Sequence, residues 1–309
     1  MTHHSSSTTI RSFQPQQSII MALRGRNTIN HPQQVRSIST SLVDWKFDEA
    51  TRVGTITLSS PKTMNALTVE MGQDFERLTR ILQDFVETQD IHAIVLQGAG
   101  DQAFSAGGNL EWLQSLHRNP VHKNVDAMLS FYNSFMGIRT LPIPIIVALQ
   151  GPAMGAGACL ALACDMRVAT RDKPAILGFP FSKLGIHSGM AGSWLLQTSG
   201  VPKAKVHEIL FTGQTLSSQQ SLDLGLVNRV VDDAKIGAME LAVEVAQQHP
   251  VAIRSMVRTM RLDHDGAFQS ALQREAYAQA VCYHRNDWGE GLKAIAEKRS
   301  PQFDNYHVE

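Results

Sequence analysis

Cysteine is scarce in this chain: 309 residues hold three, Cys159, Cys164 and Cys282, with no Cys-x-x-Cys pair. A sparse, odd set excludes a disulfide framework and fits a reducing compartment. No His/Cys/Asp/Glu set has metal-ligand spacing, so no metal site is expected. No run approaches the eighteen or so apolar residues of a membrane span. Neither sign of charge dominates, with 28 Lys+Arg against 28 Asp+Glu, so no global field draws nucleic acid. The Gly-x-Ser-x-Gly elbow of a serine hydrolase is missing. Acidic residues are absent before Asp44.

That last absence defines a region. Residues 1–40 carry Arg11, Arg24, Arg26 and Arg36 among many Ser, Thr and Gln. Arginine with serine and without acid is the composition of an organellar transit peptide. Residues 19–23, followed by Arg24 and Arg26, form a short amphipathic segment, and Arg36-Ser37-Ile38-Ser39 resembles a matrix-protease cleavage site. The expectation is a disordered mitochondrial leader removed at about residue 38; the plainer alternative is a disordered tail.

What remains has 43% hydrophobic and 18% charged residues across the whole chain, the balance of a soluble globular protein with ample core. Residues 45–47 and 53–58 predict a hairpin. Met71, Phe75, Leu78, Leu82 and Phe85, at spacings of three and four, predict a helix over 68–86. Residues 126–138 predict a second. Residues 145–149 form a β-branched run suited to a strand buried on both faces. Helices are expected over 189–198, 202–211 and 217–224, strands over 166–169, 175–179 and 226–231, and mostly helix from 234 onward. Strands alternating with helices, then helices alone, predict an α/β core over 41–233 with a helical C-terminal region over 234–309.

Two stretches share one design. The strand at 145–149 is broken by Gly151-Pro152 and leads through Met154-Gly155-Ala156-Gly157 into a helix near 158–163. A second apolar run at 93–96 leads through Gly98-Ala99-Gly100-Asp101 into Ala103-Phe104-Ser105-Ala106-Gly107-Gly108-Asn109-Leu110 and a helix-like Glu111-Trp112-Leu113. A small-residue turn opening a helix leaves backbone N–H groups without intrahelical partners. One such turn also serves simple close packing. Two of them are able to aim two N–H groups at one oxygen, as an oxyanion hole requires.

These stretches resemble the paired signatures of the crotonase superfamily, the enoyl-CoA hydratase/isomerase family. The resemblance extends to Pro61-Lys62-Thr63-Met64-Asn65-Ala66-Leu67, Phe211-Thr212-Gly213-Gln214-Thr215-Leu216-Ser217, Gly225-Leu226-Val227-Asn228-Arg229-Val230-Val231 and Glu297-Lys298-Arg299-Ser300-Pro301, so it covers about residues 42–303. It implies a spiral of ββα turns, an acyl-CoA substrate, no cofactor beyond that coenzyme A, and a homotrimer or dimer of trimers. It implies backbone donors at Ala106 and Ala156. Gly107, Gly108 and Asn109 would follow the thioester, with Lys62, Ala66 and Lys298 near the rest of the coenzyme A. Asn109 stands where the family usually has Asp, and still suits a helix cap.

The acid/base positions depart from the family. Its hydratases carry one glutamate where this chain has Cys159, and a second, in a Pro-Glu-x-x-x-Gly segment, where it has Phe181. Hydration needs one group to activate water and another to deliver a proton. Phe181 supplies neither, and Cys159 reads first as a small core residue. His187 in Gly185-Ile186-His187-Ser188-Gly189 is the nearby group that titrates near neutrality, against the ordinary reading of a structural histidine. Ser188 is expected to cap the following helix, and Glu111 to lie on a solvated face. Three readings stand. The first is an acyl-CoA enzyme working through an enolate, in fatty-acid or branched-chain acyl-CoA metabolism, including an isomerase, decarboxylase or thioester hydrolase. The second is an acyl-CoA-binding protein with little turnover. The third, a nucleotide-binding protein, is weakened because Gly155-x-Gly157 lacks a third glycine and a following acidic strand end.

Overall fold

A computed structural model describes residues 37–86, 90–262 and 265–303. Most of the expected leader, residues 1–36, lies outside them. Its last residues do not: β1 (Ser37–Ser39) pairs antiparallel with β2 (Val43–Asp48), and Ile38 is buried. The folded part therefore begins before the expected boundary at 40.

β2 and β3 (Val53–Leu58) form the predicted hairpin. β4 (Ala93–Gly98), β5 (Ile145–Leu149), β7 (Met166–Thr170) and β10 (Arg229–Val231) then add in parallel, giving a seven-stranded sheet of order β1-β2-β3-β4-β5-β7-β10. A second sheet holds the short strands β6 (Ala153–Met154), β8 (Leu177–Gly178) and β9 (Thr215–Leu216). Alternation along the parallel strands divides the core in two. Ile94, Leu96, Ile145, Val147 and Leu149 face the main core, while Ala93, Val95, Ile146, Ala148 and Val168 face the other side.

Eleven helices are described: α1 (Val69–Phe85), α2 (Leu110–Ser115), α3 (Val121–Met136), α4 (Ala156–Leu162), α5 (Gly192–Thr198), α6 (Lys203–Thr212), α7 (Ser218–Asp223), α8 (Ala234–Ala246), α9 (Pro250–Leu262), α10 (Asp265–Cys282) and α11 (Asn286–Ala296). Thr68 caps α1 by accepting from Met71 N at 3.1 Å, and Met71, Phe75, Leu78 and Leu82 are buried, as their spacing predicts. α8 lies on the far face of the sheet. Ala234, Ala238, Ala242 and Ala246 are small enough to bring its backbone close to β4, β5 and β7. The first helix beyond residue 233 thus completes the sheet core, and the separate helical region begins after it. Among the described residues no helix is long and apolar enough to cross a membrane.

Candidate active site

The two small-residue loops meet beyond the carboxyl ends of β4 and β5. Met154 N donates to Ser105 O at 3.0 Å and Phe104 N to Pro152 O at 3.1 Å. The approach is too close for side chains. Gly107 sits at φ 96°, and a Cβ there would lie 2.5 Å from Met154 O; one on Gly157 would lie 2.8 Å from Ser105 Cβ. Glycine is required at both positions by contact, and at Gly107 also by backbone conformation.

Asn65 ties the Pro61–Leu67 motif to the first loop. It is fully buried at φ 54°, beside Met64 at φ 52°. Its Oδ1 accepts from Ser60 N at 3.0 Å, and its Nδ2 donates to Ala99 O and Ala103 O, each at 3.0 Å. Ser105 Oγ donates to Asn65 O at 2.8 Å. Two consecutive left-handed residues cost about 1–3 kcal/mol each and persist only where surroundings over-determine them, as these bonds do.

A narrow cavity of about 70 Å³ lies against the joined loops. Ala106, Gly107, Gly108 and Ala156 line one side of it. Ala156 is the first residue of α4, so its N–H has no intrahelical acceptor. Ala106 differs from expectation: its N–H donates to Met64 O at 2.9 Å. Ala106 and Ala156 both line this cavity, and among the described residues the Ala156 N–H has no backbone acceptor while the Ala106 N–H has one. Asn109 caps α2 as expected, its Oδ1 accepting from Trp112 N at 2.7 Å. Ala66 is buried; Lys62 and Lys298 are exposed and outside the cavity wall.

The rest of the wall is mainly hydrocarbon, with Leu113, Met128, Phe131, Ile186 and Met190 prominent. Phe181 is part of it, its ring spanning from beside Gly155 to beside Gly192. Cys159 is fully buried behind it, its Sγ donating to Gly189 O at 3.2 Å; burial pushes the thiol well above its ordinary pKa, so it carries no thiolate at neutral pH. His187 is exposed and off the wall, its Nδ1 2.7 Å from Ser188 O. Ser188 does not cap α5, whose N-cap residue is Ala191; its Oγ is buried without a partner. Glu111 is exposed and lines a separate surface cleft.

Four functional candidates carried no sequence signal. Tyr132 from α3, Gln279 from α10 and Tyr283 just after it form a polar corner in the cavity wall. Tyr132 Oη donates to Gln279 Oε1 at 2.7 Å and Tyr283 Oη to the same oxygen at 3.0 Å. Burial raises both phenols above their ordinary pKa, so they stay protonated. Glu275, one turn before Gln279, instead holds the start of α5. Its oxygens accept from Gly192 N and Ser193 N, each at 3.0 Å, and from the Ser193 hydroxyl. Burial raises its pKa despite these donors. Among the described residues no group of three metal-ligating side chains gathers.

Known proteins share this sequence pattern and fold. The family model for enoyl-CoA hydratase/isomerase matches residues 48–306. YngF of Bacillus subtilis (strain 168), whose name places it among enoyl-CoA hydratases/isomerases, is 33% identical over 248 residues, 79% of this chain and 91% of its own. A short-chain-enoyl-CoA hydratase of Clostridium acetobutylicum is 29% identical over 255 residues, 80% of this chain and 92% of its own. The crystal structure of an enoyl-CoA hydratase/isomerase from Pseudoalteromonas atlantica T6c superposes with a TM-score of 0.72 at 26% identity, covering 85% of this chain and all of that one (100%). With its paired loops, mixed sheet and helical C-terminal region, the chain belongs to the enoyl-CoA hydratase/isomerase family of the crotonase superfamily.

Proposed function

We propose that the protein binds an acyl-CoA thioester and stabilises negative charge on its carbonyl oxygen, in a site without the acid/base pair that hydration requires. The observation that carries this reading is the makeup of the cavity wall. It includes Ala156, whose N–H has no intrahelical acceptor, and, among the described residues, no carboxylate or imidazole. Abstraction of an α-proton, or attack at the β-carbon, creates an enolate, and preorganised donors at its oxygen are the largest catalytic contribution. Tyr132 and Tyr283 hold their protons and do not serve as bases. The chemistry left is that of an isomerase, decarboxylase or thioester hydrolase rather than a hydratase, in fatty-acid or branched-chain acyl-CoA metabolism. The acid-free, Arg-bearing residues 1–36 support import into the mitochondrial matrix.

A second reading, binding with little turnover, is favoured by the bond between Ala106 N and Met64 O. A two-amide hole needs that N–H shared with, or released from, Met64. The test uses the position of Ala156. Proline is tolerated at the first residue of a helix and has no N–H. Ala156→Pro therefore deletes the donor while leaving α4 able to form. Turnover of whichever short acyl-CoA the protein converts should fall by roughly a hundredfold to a thousandfold, with the melting temperature little changed. Binding without turnover of any thioester in a panel would select the second reading; failure to bind any of them would refute the proposal.

A further inference from the structure

We infer that Gln150 is a positioning residue: its side-chain amide sets the first loop against the Ala156 N–H, where the thioester oxygen is held. This rests on the acyl-CoA reading above. The argument begins where the parallel pairing of β4 and β5 stops. Their last paired residues are Gln97 and Ala148, and the two chain segments meet again at the bridge between Ser105 and Ala153. Between these points the first loop leaves the sheet and returns, and its carbonyls need partners other than a neighbouring strand.

Side-chain amides supply them. Gln150, just past the end of β5 and 5% exposed, reaches into the base of the excursion. Its Nε2 donates to Gly98 O at 3.0 Å and to Ala103 O at 2.8 Å, near the two ends of the loop. Asn65 Nδ2 donates to the same Ala103 O at 3.0 Å. Ala103 O thus joins three segments: the motif that holds Asn65, the first loop, and the strand that leads into the second loop. Both amides fit because residue 98 is glycine; a Cβ there would lie 2.6 Å from each of their nitrogens.

The other half of the Gln150 amide is a liability. Its Oε1 is buried with no partner among the described residues. A buried, unpaired acceptor is unfavourable. Methionine, unbranched and adaptable, would fill such a space without one. The two N–H groups are what the amide supplies here and a methionine does not.

The loop so held borders the donor. A Cβ on Gly107 would lie 2.5 Å from Met154 O and 3.6 Å from Ala156 N. Donors to an oxyanion act over about 2.7–3.1 Å, and site groups must be held to within about half an ångström. A small shift of the first loop therefore changes the space beside the Ala156 N–H. Gln150 is not part of the cavity wall and acts through the loop.

Calorimetric titration with butanoyl-CoA and with S-butyl-CoA, a thioether of equal length that lacks the carbonyl oxygen, tests this in the wild type and in Gln150→Met. The wild type should bind the thioester about tenfold more tightly, the contribution of one to two net hydrogen bonds. In Gln150→Met that ratio should fall to about threefold or less, with the affinity for S-butyl-CoA and the melting temperature little changed. A ratio that survives the substitution overturns the inference and leaves the acyl-CoA reading intact. Equal weakening of both ligands, or a variant that fails to fold, also overturns it, because either makes Gln150 a purely structural residue. If the wild type binds neither ligand, or does not distinguish them, the reading of the site fails and the inference with it.

Discussion

Glu275 takes a carboxyl group into the interior at 2% exposure. Two backbone amides and a hydroxyl meet it, yet burial outweighs them, and its pKa stands above the ordinary 4.5. For an acid raised in this way, the stabilising form is the protonated one. Its contribution is complete below the unfolded pKa and is lost as pH rises through the folded one. Above pH 4.5 the wild type should therefore lose stability relative to Glu275→Gln, which does not titrate. Melting curves at stepped pH check this: the difference, wild type minus variant, should fall with rising pH across that window. Parallel profiles would contradict it. The same residue shows why chemistry at this scale escapes a linear reading. Cys159 and Phe181 stand out in sequence because the resemblance implies glutamates at their positions, but nothing near Glu275 in sequence reports that it meets Gly192, 83 residues away.

The elements that present the site are stabilised locally. Asn109 ends the first loop and caps α2, with 2.7 Å between its Oδ1 and Trp112 N. Asn109→Ala should cost about 1 kcal/mol of stability, the usual worth of a side-chain cap, measured by denaturant unfolding. A loss below a few tenths would show that α2 is held by packing alone. Local signals of this kind made much of the fold legible. Thr68 and the apolar stripe placed α1 within a residue of its ends, and the β-branched run at 145–149 gave β5. The loops were legible because glycine and alanine report close approach. α3 begins at Val121, five residues before the expected start, because Pro120 opens it without a side-chain cap. The cavity wall was not legible. Tyr132 and Gln279 meet across 147 residues, and no periodicity within α3 or α10 tells which loop each helix will face. Likewise the alanines of α8 gave a helix but not the sheet face it covers.

At the scale of the whole molecule, large apolar side chains remain outside. On α9, Val251, Met256 and Met260 are 66%, 51% and 75% exposed, and Phe211 and Tyr277 are exposed elsewhere. Exposed apolar side chains such as these offer surface on which a partner subunit could pack. The proposed assembly is a homotrimer or a pair of trimers. Light scattering should give about three or six times the 34.0 kDa chain mass at micromolar concentration; a monomer would contradict it. The central claim concerns the cavity itself: a thioester site whose wall holds an amide donor and no hydration pair. One well-placed acid/base group contributes about a hundredfold to ten-thousandfold, and Cys159 and Phe181 stand where the resemblance implies glutamates. Steady-state hydration of crotonyl-CoA, a short unsaturated thioester, tests this most directly. The account predicts hydration that is undetectable or orders of magnitude below that of an efficient enzyme, while the thioester still binds. A kcat/KM above about 10⁶ M⁻¹ s⁻¹, within the range of efficient enzymes, would contradict it and would mean that acid/base groups reach the substrate from outside the cavity wall described above.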